Sequence, residues 1–172
     1  MFHRPGCCLL LGLLFFLGAC RNRRTAISES PRHDLLQEAK LQGIKEPFSS
    51  DQKIFFYAFS RGGIRRNTLV LLPGAVFEVS PPVLSQTSPA GIWIGMPFQL
   101  GDGAELVVAT FNERQADETI RLILDPVHKR EDQNWRLFQI PLHESTNRVR
   151  FQVFAGPGGD ATGDWIGLAP YP

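Results

Sequence analysis

From Lys53 onward the chain alternates between short apolar segments and turn residues. The segments are Lys53–Phe59, Asn67–Leu72, Ala75–Val79, Gly91–Pro97, Glu105–Phe111, Glu118–Leu124, Trp135–Leu142, Arg148–Phe154 and Trp165–Leu168, each bounded by Gly, Pro, Asn or Asp. They are rich in Val, Ile, Phe, Leu and Trp, the residues that fit a pleated, half-buried surface. Several alternate strictly. Val149, Phe151 and Val153 fall on one face of a strand, and Arg148, Arg150 and Gln152 on the other. Ile120, Leu122 and Leu124 repeat the pattern, with Arg121 opposite. One buried and one wet face per strand is the mark of an antiparallel sheet. Eight or nine such strands predict an all-β, jelly-roll-like antiparallel sandwich over residues 51–172.

The first fifty residues read differently. Met1–Gly6 carries one fixed positive charge, Arg4, and Cys7–Leu17 is an unbroken run of eleven apolar or glycine residues. A spanning helix needs about 20 apolar residues. Arg21, Arg23 and Arg24 close this run early, so it reads as the apolar core of an export signal. Residues 20–50 read as a tether. Within it, 34–44 has the grammar of a short helix, with Asp34 as N-cap, Leu35, Leu36, Ala39 and Leu41 partly grouped, and Gly43 and Pro47 closing it. A helix this short is marginal alone and must dock or fray.

Leu17-Gly18-Ala19-Cys20 matches all four positions of the lipobox and resembles the signals of bacterial lipoproteins. The resemblance implies a cleaved signal peptide over 1–19, diacylglycerol on the Cys20 thiol and acylation of the new amino terminus. Two or three acyl chains, each contributing about 0.8 kcal/mol per buried methylene, would hold the protein at a membrane of the cell envelope. Arg21 stands where an Asp would signal inner-membrane retention, which favours the outer membrane in an organism that has one.

Composition then narrows the function. Removing residues 1–19 from the 172 leaves 153, one domain plus its tether, with 17 basic and 17 acidic residues. A neutral chain is not a general nucleic-acid binder. Cys7 and Cys8 leave with the signal and Cys20 is taken by lipid, so no disulfide and no cysteine-ligated metal is expected.

A second resemblance covers about 100 residues. Leu72-Pro73-Gly74, Gly101-Asp102-Gly103, Leu124-Asp125-Pro126, the Arg148–Phe151 strand and Asp164-Trp165-Ile166-Gly167 follow one another as in jelly-roll modules of bacterial envelope proteins, similar to galactose-binding and carbohydrate-binding-like domains. This implies a sandwich carrying a ligand site. A saccharide site would need an aromatic ring for the pyranose face beside polar groups for the hydroxyls. Asp132 with Trp135, and Asp164 with Trp165, are the candidates. The competing role for these tryptophans is core packing, as caps at the ends of the sandwich. Asp160 and Asp164, in the Gly156–Asp164 loop, are the only calcium candidates, against a plain flexible loop. Arg61, Arg65 and Arg66 around Gly62-Gly63 read as a solvated turn that could touch anionic lipid or polysaccharide.

Enzymatic signatures are absent. There is no Gly-x-Ser-x-Gly and no His-Glu-x-x-His. His128 near Asp125 and Asp132 is the nearest approach to an acid–base pair. The reading is therefore a non-catalytic, membrane-anchored binding module without a cofactor, its ligand a saccharide or cell-wall polymer. The alternatives are an assembly lipoprotein that docks another envelope protein, and a small hydrolase.

Overall fold

The structure is a computed structural model that describes residues 34–44, 51–84, 90–99, 102–113 and 115–171. The segment expected to be a signal peptide, the lipobox match with Cys20, and residues 21–33 and 45–50 of the expected tether lie outside the described residues.

All nine apolar segments form strands: β1 (Ile54–Arg61), β2 (Ile64–Leu71), β3 (Val76–Val79), β4 (Ala90–Gly95), β5 (Ala104–Phe111), β6 (Ala116–Leu124), β7 (Arg136–Ile140), β8 (Arg148–Ala155) and β9 (Ile166–Pro170). They make two antiparallel sheets, one of five strands in the order β1-β2-β9-β4-β7 and one of four in the order β3-β8-β5-β6. From β2 onward the chain passes back and forth between the sheets, except at the β5–β6 hairpin, which stays in the four-stranded sheet. The resulting orders, β2-β9-β4-β7 facing β3-β8-β5-β6, are those of an eight-stranded jelly roll, to which β1 adds an edge strand.

The alternation read from sequence sets the register. Val149, Phe151 and Val153 point inward from β8 and meet Leu69 and Leu71 of β2, Ile92 and Ile94 of β4, Leu106 and Val108 of β5, and Ile166 and Leu168 of β9 in one core. A one-residue slip of β8 would move all three to water and bring Arg150 inside, so the pairing with β3 and β5 is strongly specified.

Helix α1 (Leu35–Leu41) is docked. Asp34 caps it, its Oδ1 accepting from Leu36 N at 2.9 Å and Gln37 N at 3.0 Å. Leu35 and Ala39 are buried in the inter-sheet core, and Gln42 donates to the Glu78 carbonyl of β3. Apolar burial thus supplies the stability that seven residues alone lack.

The arginine run is not a solvated turn throughout. β1 and β2 form a hairpin whose two-residue loop is Gly62-Gly63, with φ of +55° and +77°. Both positive angles are what a type I′ turn requires, and glycine takes them without strain. Arg61 and Arg66 therefore lie on strands, on the outer face of the five-stranded sheet.

Candidate functional site

Strand alternation sends Ile54 and Phe56 of β1 toward the main core and Phe55, Tyr57 and Phe59 to the opposite side. On β4 the inward residues are Ile92 and Ile94, leaving Gly91, Trp93 and Gly95 outward. On β9, Gly167 and Ala169 face out. Trp135, just before β7, and Trp165, just before β9, lie over the same surface. The outer face of the five-stranded sheet therefore gathers all three tryptophans into a second apolar layer with Phe55, Phe59 and Val70. Neither Trp135 nor Trp165 caps an end of the main core.

Glycine makes this layer possible. A Cβ on Gly95 would lie 2.9 Å from Trp135 Cε3, and one on Gly167 would lie 2.6 Å from Phe59 Cε1. The rings rest on bare backbone, the close approach that glycine within a strand permits. Phe59 stacks on Trp135 at 4.6 Å between centroids, Trp165 meets Phe55 edge-on at 5.4 Å and Phe98 at 4.9 Å, and Trp93 tilts against Tyr171 at 6.1 Å. Burial is graded. Phe55, Phe59 and Trp135 are buried, Trp93 and Trp165 are half-buried, and Tyr57, Leu137 and Tyr171 are exposed at 48%, 39% and 41%.

Two arginines complete the surface. The Arg66 guanidinium lies 4.3 Å from the Trp93 ring centroid and 5.7 Å from that of Trp135. Arg61 lies 5.7 Å from the Phe59 centroid and donates from Nε to the Met96 carbonyl at 2.5 Å. Among the described residues neither is paired with a carboxylate, and Arg61 Nη2, Arg66 Nε and Trp93 Nε1 are buried donors without acceptors. Burial lowers the pKa of both arginines. The outer face of the four-stranded sheet is unlike this. There Glu78 holds Arg150 at 2.5 Å and Arg148 at 3.4 Å, and Glu105 holds Arg121 at 2.8 Å. Paired charge over water is the ordinary dress of an exposed sheet face. Aromatic rings and unpaired guanidinium groups are not.

Of the residues singled out from sequence, Trp135 and Trp165 belong to this face, while Asp132 and Asp164 turn away from it. Asp132 is fully buried, accepting from Asp125 N at 2.8 Å and from Arg136 Nη1 at 2.5 Å. Trp135 spends its indole N–H on the Ile64 carbonyl at 2.7 Å. Asp164 is fully buried and accepts from Gly156 N at 2.9 Å. Asp160 is exposed and accepts from Thr162 N in a local turn. The His128 ring lies 2.9 Å from Asp125. Partial burial works to raise the Asp125 pKa, but hydrogen bonds from His128 and its charge outweigh it and hold the carboxyl low. No nucleophile adjoins the pair among the contacts of the described residues, and the His128 side chain is 72% exposed. Glu113 and Glu144 line a shallow depression of about 530 Å³ with Asn112, Ser145, Thr146 and Asn147, away from His128. Among the described residues no three His, Cys, Asp or Glu side chains are grouped to hold a metal, and no helix is long and apolar enough to cross a membrane.

Sequence reasoning placed Arg66 in a solvated turn and missed Phe55, Phe59 and Tyr171 as members of the site. A signal was present. Phe55, Tyr57 and Phe59 alternate on one strand, and Gly91-x-Trp93-x-Gly95 alternates on another. An outward face that is aromatic on one strand and glycine on its neighbour announces rings lying on a sheet. Compared with models of known protein families and with curated protein sequences, the chain matches none.

Proposed function

We propose that this chain is a lipid-anchored envelope protein whose jelly roll binds a saccharide on the aromatic outer face of its five-stranded sheet. The observation that carries this reading is the gathering of Trp93, Trp165, Tyr57 and Tyr171 beside Arg66 on one side of the molecule. Pyranose C–H faces stack on aromatic rings, and a guanidinium offers five fixed donors for hydroxyl or carboxylate oxygens. The exposed ring of Tyr171, braced by Trp93, forms the stacking platform. Arg66, held over Trp93, keeps its fork in place at little further entropy cost. The layer beneath, Phe59 on Trp135 over Gly95, fixes the platform's height.

Anchoring rests on the lipobox residues Leu17–Cys20. In this reading the lipid sets where the domain works and the aromatic face sets what it holds. A second reading, docking of another envelope protein, draws on Ile64 and Leu137, apolar residues 52% and 39% exposed on the same face. The two separate on a glycan array probed with the Cys20→Ala chain. Saccharide binding that Trp93→Ala abolishes supports the first. An array without a single bound glycan removes it, and copurification of an envelope protein that Leu137→Asp releases then supports the second.

A further inference from the structure

The loop that joins β8 to β9 folds against the turn before β5, and two aspartates, Asp102 and Asp164, meet there. Asp102, in the turn, accepts the N–H of Gly158 through Oδ2. Asp164, at the end of the loop, accepts the N–H of Gly156 through Oδ2 at 2.9 Å. The remaining oxygen of each, Oδ1, is buried and has no hydrogen-bond partner. Asp164 has no exposed surface at all. Both carboxyls close on Gly156: Asp164 accepts its N–H, and a Cβ there would lie 2.6 Å from Asp102 Oδ1 and would also strike the Gly103 carbonyl. Among the described residues neither carboxylate is paired with Lys, Arg or His. That contrasts with Asp132, the other fully buried aspartate, which Arg136 neutralises.

A fully buried carboxylate beside a half-buried one whose inner oxygen is enclosed, both with unused lone pairs and no counter-charge, is costly, and proteins resolve such a site with a proton or a metal ion. Backbone oxygen lies at hand in the Gly103 carbonyl, and the loop is glycine-rich enough to adjust. Calcium accepts this mixture of carboxylate, carbonyl and water oxygens in irregular geometry, whereas magnesium demands a near-ideal octahedron. We infer that Asp102 and Asp164 form a calcium site, each giving Oδ1 to the ion, with the Gly103 carbonyl beside them and water filling the remaining positions. Burial pushes the Asp164 pKa up, with the charges of Asp102 and Asp160 adding to it against the hydrogen bond from Gly156. Asp160, the partner that sequence spacing offered, stays at the rim as an exposed negative charge. The ion would clamp the Gly156–Asp164 loop to the β4–β5 turn, immediately before Trp165 and its contacts with Phe55 and Phe98. This site stands independently of saccharide binding.

Thermal unfolding of the chelator-treated full chain tests it. Adding millimolar calcium raises the midpoint by several degrees, and magnesium does so much less. Calorimetric titration gives one calcium per chain. Asp164→Asn and Asp102→Asn lose the calcium-dependent shift, while Asp160→Asn keeps most of it. In chelator, Asp164→Asn unfolds no earlier than the parent, so a lost shift is not a failure to fold. The inference is overturned if calcium leaves the parent's midpoint unchanged, or if Asp164→Asn responds like the parent. A parent that gains stability only on acidification, with no response to calcium, would show that a proton fills the place of the ion.

Discussion

Asp125 and Asp132 show how one residue type is put to two uses seven positions apart. Asp132 is enclosed, and its two oxygens hold Asp125 N and Arg136, tying the loop after β6 to the start of β7. Asp132→Ala leaves a buried N–H and a guanidinium unanswered and should cost about 2–3 kcal/mol in urea unfolding. Asp125 sits nearer water, with His128 holding its pKa low. A carboxyl depressed in the folded state lends stability that is complete above its unfolded value of about 3.9 and is lost as pH falls through the lower folded value. The gap in stability between the parent and His128→Ala should therefore narrow as pH falls through the depressed Asp125 value and close in stronger acid. Sequence put Asp132 and Trp135 together as binding residues because they are three apart. Enclosure reversed that use, and enclosure depends on Ile64, Gly95 and Arg136, which no local window contains.

At the scale of elements, the strands and the capped helix were legible because their signals are local. Period-two alternation, glycine pairs and an Asp N-cap each act within a few residues. Asp34→Ala should lower stability by about 1 kcal/mol through the two backbone donors it frees. The aromatic layer was not legible in the same way, because it assembles from β1, β4, β9 and the segment before β7, and their adjacency follows from the jelly-roll order. Glycine on one strand matters only once a ring from another is known to cover it. Gly167→Ala tests that relation. Its methyl would overlap Phe59, so we expect a loss of about 1–3 kcal/mol, read as a lower midpoint in thermal unfolding, with the near-ultraviolet signal of the stacked Phe59–Trp135 pair diminished.

On the scale of the whole molecule, the two sheet faces divide the work. The four-stranded face carries matched charges and meets water, and the five-stranded face carries rings and unmatched arginines. Cys20 ties this body to a membrane in the proposed reading. Cys20→Ala should then abolish fatty-acid labelling and leave the precursor uncleaved, as seen on a gel after metabolic labelling. The asymmetry of the faces leads to the most direct test of the account, a titration of an array-identified glycan against the parent, Trp93→Ala and Arg121→Ala. Loss of the ring that supports both Arg66 and Tyr171 should weaken binding by about 2 kcal/mol, some thirtyfold in Kd, while Arg121→Ala on the opposite sheet leaves the affinity unchanged. Equal affinities for the parent and Trp93→Ala would contradict the assignment of saccharide binding to the aromatic face.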